Sequence, residues 1–292
     1  MKIAIFGDVH GNLQGLQAIL EDIEKEVPDS VVCTGDLVCP WPDSLKCWEI
    51  VLSRNIPIVR GNQEEYILAF HDPDPNPLVQ TSVQFMPVQY AAKQFGPEHL
   101  CQMENLPLTH IIPGPDLQDV LVCHGIPSDP FKTFALGIDS SIAGELNAVK
   151  ENVVVAGHIH QKWHKKWNGK LLILAGSGGF PLDGQIETVD YLVLTYQNNS
   201  WDFTHKSIPY DHQDFIDGIV KRGALVEGGP ISWIMLYQLL TQQGSVIPFF
   251  SEYLPSIGKE DMEMNDLREW EDAAAGYIKS LGYWEEIKKY LP

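Results

Sequence analysis

The sequence predicts an α/β fold with a helical C-terminal appendage, and three observations carry that expectation. Short runs rich in Val, Ile and Leu alternate with helix-period patterns from residue 1 to about residue 205. Each of the first five runs ends at a polar residue or a Gly-polar pair. Past about residue 206 the strand-like runs stop and helical patterns take over.

The expected strands are KIAIFG (2–7), SVVCTG (30–35), IPIVRG (56–61), DVLVCHG (119–125), NVVVAGH (152–158), KLLILAG (170–176) and DYLVLTY (190–196). Between the first two, Leu13, Leu16, Ile19, Leu20 and Ile23 fall on one face of a helix, and Asn12 stands where an N-cap belongs. The stretch HDPDPNPLVQ (71–80) is dense in proline and reads as a surface loop that is neither helix nor central strand. It opens a region, 71–118, expected to be an insertion or helical cap. In the tail, DFIDGIVKRG and ISWIMLYQLLTQQG each close on Gly, a common helix stop. Leu267, Trp270, Ala274, Tyr277 and Leu281 form one apolar stripe. Residues 206–292 are therefore expected to be a helical extension packed on the core, and no internal repeat is visible.

Composition excludes several classes. The chain has 292 residues, 44% of them hydrophobic, enough for one large domain with an appended lobe. A net charge of −19 argues against a nucleic-acid polymer as partner, because phosphate backbones require Lys/Arg stripes. The five cysteines lack C-x-x-C spacing, which argues against a zinc ribbon or a disulfide framework. Nothing resembles a signal peptide, and the longest apolar run (231–240) is too short to span a bilayer, so a cytoplasmic protein without membrane contact is expected.

Chemistry concentrates where the strands end. Asp8-Val9-His10, Asp36, Asn62, His124 and His158-Ile159-His160 follow five successive strand runs. Carboxylate, amide and imidazole are the donors that divalent metals of hard to borderline character take. In α/β proteins ligands collect at the carboxyl ends of strands. Singly these residues are ordinary turns, but four of the ten histidines occupy these slots in order, with Asp and Asn between them.

The ordered set D-x-H, G-D, G-N, lone H and G-H-x-H resembles the calcineurin-like metallophosphoesterase superfamily over roughly residues 1–200. GDVHGNLQGLQAIL, GDLVCPWPDS, IPIVRGNQE, LVCHGIPSDP and AGSGGFPLDG are similar to successive motifs of its small bacterial and archaeal phosphodiesterase branch. The resemblance implies a two-sheet α/β/β/α sandwich, with residues 1–205 as the catalytic core. It also implies a dinuclear centre with metals roughly 3.5–4 Å apart. Asp8, His10, Asp36 and His160 would hold one metal; Asp36 would bridge to a second held by Asn62, His124 and His158. A hydroxide between the metals would attack phosphorus, and Asp36, Asn62, Gln63 and His124 would be the residues nearest the reaction. Mn, Fe, Zn and Ni all suit such donors, and phosphate or a similar anion could lie across the metals.

Two departures narrow the activity. Many relatives carry His after G-N, where this chain has Gln63. An amide donates a hydrogen bond but gives up no proton, and general acid catalysis contributes roughly 10²–10⁴-fold where a leaving group needs it. Poor, alkoxide-type leaving groups should suffer most. The protein phosphatases and diadenosine tetraphosphatases of the superfamily continue G-D with x-x-D-R-G and have G-N-H-E, whereas this chain reads GDLVCPWP and GNQEE. Glu64 and Glu65 are most simply partners of a helix N-terminus. In AGSGGFPLDG, Ser177 and the glycines suit either a phosphate-binding turn or a plain tight turn.

The expectation is a metal-dependent phosphoesterase acting on a small phosphorylated molecule, by diester or activated monoester hydrolysis. A non-catalytic scaffold of the same fold, and a nuclease, are the alternatives. Helices 231–242 and 267–281 could support a homodimer if their apolar faces are left open.

Overall fold

The computed structural model describes residues 1–182, 187–259 and 266–291. In chain order the first half contains β1 (Lys2–Phe6), α1 (Leu13–Glu26), β2 (Ser30–Cys33), α2 (Ser44–Ser53), α3 (Asn62–His71), α4 (Pro77–Thr81), α5 (Met86–Ala92), α6 (Pro97–Glu104), β3 (Thr109–Ile112) and β4 (Val120–Cys123). There follow α7 (Ser140–Ala148), β5 (Val153–Ala156), β6 (Lys162–Trp167), β7 (Lys170–Ala175), β8 (Thr188–Gln197) and β9 (Ser200–Pro209). The tail holds α8 (His212–Lys221), α9 (Ala224–Glu227), α10 (Gly229–Thr241), two short turns α11 (Val246–Pro248) and α12 (Leu254–Ser256), α13 (Leu267–Ser280) and α14 (Trp284–Ile287).

The strands form two sheets, ordered β2-β1-β8-β9 and β3-β4-β5-β7-β6. β1 and β2 run parallel, as do β4, β5 and β7, while β8 runs antiparallel to both β1 and β9, β3 to β4, and β6 to β7. Strand alternation makes the sandwich. Ile3 and Ile5 join Val153, Val155, Ile173, Leu192 and Leu194 in the layer between the sheets. Their neighbours Ala4 and Phe6 face the other way, onto Leu16, Ile19 and Leu20 of α1. On the far sheet Val154, Ala156 and Leu172 face Ile142 and Leu146 of α7. The expected α/β/β/α architecture with a helical C-terminal region is what the chain adopts.

Three strands were not expected from the sequence, β3, β6 and β9, and all three lie at sheet edges. An edge strand buries one face at most, so its polar residues break the apolar run that marks a central strand. β6 reads KWHKKW, with His164, Lys165 and Lys166 exposed. β3 places a core strand inside the region 71–118, so the helical cap ends before Thr109. β9 carries the sheet past residue 205, to Pro209. The stretch 56–61, by contrast, is no regular strand: it makes a single bridge, Ile58 with Cys33 along the outer edge of β2. Pro57 lacks the N–H needed to extend that pairing.

The loop expected over 71–80 also needs correction, since α4 begins on Pro77. Proline suits the first helical position, where its N–H would be unpartnered, and the Asn76 side chain caps the turn by accepting from Leu78 N–H. Asn12 caps α1 as expected, through the Gly15 N–H at 2.8 Å.

The tail is tied to the ligand-bearing end of the core. Phe215, Ile234, Phe249 and Trp270 share a core cluster with Trp41 and Phe180, and Trp41 meets Phe180 and Phe215 edge-on at 6.0 and 6.2 Å. Arg222 pairs with the buried carboxylate of Asp43. Much of the apolar surface of α10 and α13 enters this cluster, where Ile234, Leu236, Trp270, Ala274, Tyr277 and Ile278 are buried, but Leu267 and Leu281, the two ends of the expected α13 stripe, are 42% and 40% exposed. Among the described residues no helix is long and apolar enough to cross a membrane.

Candidate metal centre

Every candidate ligand sits just beyond a strand of a parallel pair or its edge extension. Asp8 and His10 follow β1, Asp36 follows β2, Asn62 opens α3 after the bridge at Ile58, His124 follows β4, and His158 and His160 follow β5. The structure brings all seven together. Asp8, His10, Asp36, Asn62 and His124 are buried, and His158 and His160 are half-buried.

The backbone bends sharply to do this. Asp8, His10, Asp36, His158 and His160 have φ of 51°, 56°, 52°, 74° and 57°, in the left-handed region that residues with a Cβ avoid. Each such residue costs on the order of 1–3 kcal/mol and persists where surrounding contacts over-determine it. Several contacts do so here. Asp8 N–H donates to Gly35 O at 2.9 Å and His10 N–H to Asp36 O at 3.0 Å, which locks the first two ligand turns together. Ser177 Oγ donates to Asp8 O at 2.7 Å and accepts from Phe180 N–H at 2.8 Å. The Ser177 turn is thus a brace on Asp8. A Cβ on Gly179 would lie 1.8 Å from Val9 O, so glycine is required for that approach. The last two residues of the motif, Asp183 and Gly184, lie outside the described residues.

Glu64 is the residue whose role the sequence did not reveal. Its side chain is buried rather than facing solvent at the helix end. Its carboxylate accepts three backbone N–H groups, from Asp36, Leu37 and Gly61, each at 2.9 Å. It therefore straps the Asp36 turn to the Gly61-Asn62 turn. Burial and the nearby Asp36 charge push its pKa up to about 7, against the pull of the N–H donors. The one local signal was its place three residues after Gly61, where a glutamate reaches back to the N-cap N–H. Glu65, in contrast, pairs at the surface with Arg60 at 3.1 Å.

Three histidines have their tautomer fixed. Nδ1 of His10, His124 and His160 lies 2.6, 2.7 and 2.9 Å from the carbonyls of Cys39, Thr34 and Phe180. A carbonyl only accepts, so each Nδ1 carries hydrogen and each neutral ring turns an Nε2 lone pair inward. With the rings neutral, as metal ligation requires, those lone pairs face other acceptors. His10 Nε2 and His160 Nε2 are 2.9 Å apart, and His124 Nε2 is 2.9 Å from Asn62 Oδ1. His158 Nδ1 reaches the same Asn62 oxygen at 2.8 Å. Acceptors crowded in this way need a positive charge among them, and the donor set suits divalent cations.

Asp36 stands between the two groups. Its Oδ2 is 3.7 Å from His10 Nε2 and 3.4 Å from His124 Nε2, while its Oδ1 accepts from Gln63 N–H at 2.8 Å. Asp8 Oδ1 lies 3.5 Å from His160 Nε2. Ligand atoms from Asp8, His10, Asp36 and His160 all fall within 4.8 Å of one another, a spacing that can hold one ion.

The same crowding shifts the titration of these groups. Burial raises Asp8 to about 8, with repulsion from Asp36 adding to it and His124 opposing. Burial pulls His124 down, but the Asp36 carboxylate outweighs it and holds the ring at about 10. Asp36 is pushed up by burial and pulled further down by His124 and His10, so it stays ionised. Burial lowers His10 and His160, and takes His158 to about 4 with help from the His124 charge.

Comparison with known proteins bears on the family and the fold. The profile described as the calcineurin-like phosphoesterase superfamily domain matches residues 1–199. An uncharacterized protein of Methanocaldococcus jannaschii is 25% identical over 237 residues, covering 75% of this chain and 92% of that protein. A symmetrical bis(5'-nucleosyl)-tetraphosphatase of Psychromonas ingrahamii is 42% identical over 74 residues, which span only 24% of this chain and 27% of that enzyme. Among solved structures, a metallophosphoesterase from Sphaerobacter thermophilus shares the fold with a TM-score of 0.60 and 24% identity, covering 76% of this chain and 94% of that one. A hypothetical protein from Pyrococcus horikoshii does so with a TM-score of 0.65 and 17% identity, covering 82% of this chain and 97% of that one.

Proposed function

This chain belongs to the calcineurin-like phosphoesterase superfamily, and on that premise we propose that it is a two-metal phosphoesterase hydrolysing a phosphodiester, or an activated phosphomonoester, of a small molecule. The observation that carries the proposal is the position of Asp36, one carboxylate facing His10 on one side and His124 on the other. Asp8, His10, Asp36 and His160 would hold one cation; Asp36, Asn62, His124 and His158 would hold the other. Once bound, such cations acidify a water and polarise phosphoryl oxygens.

The protein's own part is to hold this geometry. The carbonyls of Cys39, Thr34 and Phe180 keep three imidazoles in the ligating tautomer. Neutral imidazoles bind without cancelling cationic charge, and only Asp8 and Asp36 of the seven offset it. Loading must displace protons from Asp8 and His124, so metal affinity should rise with pH through about 8 and on toward about 10. The net charge of −19 speaks for a small substrate over a nucleic-acid strand.

Gln63 is half-buried at the start of α3 and holds Asp36 through its backbone. Its amide can donate a hydrogen bond to a leaving oxygen but cannot protonate it. Gln63→His is expected to raise turnover of alkyl phosphates by at least about tenfold relative to aryl ones. An equal change for both would mean that residue 63 does not serve leaving-group protonation.

The test of the whole reading is hydrolysis of matched aryl phosphomonoester and phosphodiester substrates by metal-stripped protein, before and after adding Mn²⁺. Turnover that appears only with metal supports it, and the diester-to-monoester ratio sets the subclass. Two bound metals with no turnover of either substrate would favour a binding protein of the same fold.

A further inference from the structure

We propose that Tyr66, Phe85 and Phe131 form an aromatic wall beside the metal centre that selects phosphoesters carrying a planar aromatic group. The inference rests on the phosphoesterase reading and names the substrate class for that site.

Tyr66 lies four residues after Asn62 and three after Gln63 on α3, so it shares the helix face that presents them. Its ring meets Phe85 and Phe131 edge-on, each at 5.4 Å between centroids. Phe131 comes from the loop after β4, and its backbone hydrogen-bonds the ring of His158. The wall thus spans the segment that bears Asn62 and the one that follows His124.

Tyr66 and Phe85 back onto the core cluster under α1 and α2, and two features leave the outer side of the wall to a ligand. Phe131 is 46% exposed, although it stands next to a polar, ligand-bearing edge. The Tyr66 hydroxyl has no hydrogen-bond partner among the described residues, and the Asp36 charge is close enough to add to the burial that raises it. An aromatic ring whose phosphoryl group sits at the metals could pack against Phe131 and Tyr66 in the offset or edge-on geometry such rings prefer. The choice also suits Gln63, since aryl leaving groups depart without the proton this residue cannot supply.

The test compares binding of phenylphosphonate and methylphosphonate to the Mn²⁺-loaded protein by calorimetry. Neither is hydrolysed, and both offer the metals the same head group. The phenyl ligand should bind at least about tenfold more tightly, in line with the strength of aromatic contacts. In Phe131→Ala the phenyl-to-methyl ratio should fall to within about threefold of one, whereas Tyr66→Phe, which keeps the ring, should keep the ratio. A ratio cancels any loss of folded protein common to both ligands.

A second pair, the phosphonate analogues of adenosine monophosphate and of ribose phosphate, separates a ring attached at phosphorus from one a sugar away. A preference in either pair that Phe131→Ala removes supports the proposal. A ratio near one in both pairs, failure of all four ligands to bind, or a preference that survives Phe131→Ala overturns it. Metal-dependent ester hydrolysis with ratios near one would overturn the wall alone. A ring preference without any hydrolysis would keep the wall and remove the hydrolase reading.

Discussion

Asp36→Asn should lose activity by on the order of 10³-fold or more, beyond the 10–100-fold that loss of an outer hydrogen-bond partner costs. Asparagine keeps an oxygen for Gln63 N–H but removes the one charge that faces both His10 and His124. Both cations should therefore bind more weakly, and a titration that shows only one site weakened would sink the bridging role. The metal-free protein gives an independent readout. His124 is held at about 10 by Asp36 against burial, so its titration should move down in the variant.

The same pair links stability to pH, with signs that can be worked out. A histidine raised above its unfolded value stabilises fully below about pH 6.5, and that stability fades as pH rises toward 10. An aspartate held down stabilises above about pH 4, and that stability is lost in acid. The Tm gap between the metal-free wild type and Asp36→Asn should therefore be widest between roughly pH 4 and 6.5. Above that window it should narrow, more so because the variant also relieves Asp8 and Glu64 of a like charge.

The second large effect is expected at Glu64, which is not one of the candidate ligands yet accepts from Asp36, Leu37 and Gly61. In Glu64→Gln one side-chain oxygen becomes an NH₂ group, so at least one of those backbone N–H groups meets a donor. A buried N–H left without an acceptor costs about 1–3 kcal/mol. The turn that presents Asp36 should loosen with it, lowering metal affinity by roughly 10–100-fold. Stability should fall in the metal-free protein too, which separates the strap from a ligand role. Glu64→Gln with wild-type Tm and wild-type metal affinity would show that the two turns hold each other without it.

Why Asp36 was legible and Glu64 was not follows from where their contacts come from. Each ligand turn is a local signature: a β-rich run and then Asp, Asn or His within three residues. The convergence of such turns follows from parallel strands pointing their carboxyl ends the same way. The order of the set then narrowed the family. Glu64 lies within three residues of a ligand as well, but its role depends on a turn 28 residues earlier in the chain. Read locally, an acid at a helix start looks like a dipole partner.

The same division runs through the fold. Central strands such as β1 and β5 are buried on both faces and show as unbroken apolar runs. β3, β6 and β9 are strands because a neighbour offers them hydrogen bonds, and their exposed faces erase the pattern. The helical tail was legible as helices, but not its attachment beside the site through Trp41, Phe180 and Phe215.

The sequence by itself determined the α/β class and the seven candidate ligands, because strand periodicity and ligand turns are encoded within a few neighbouring residues; the two-sheet α/β/β/α sandwich was implied by the resemblance that the order of those ligands carries. Only the tertiary structure decided how Asp36 stands between two ligand groups, that Glu64 straps two turns, and that Tyr66 meets Phe131. Those facts are distances between residues far apart in the chain, fixed by the packing of two sheets and not by any local preference.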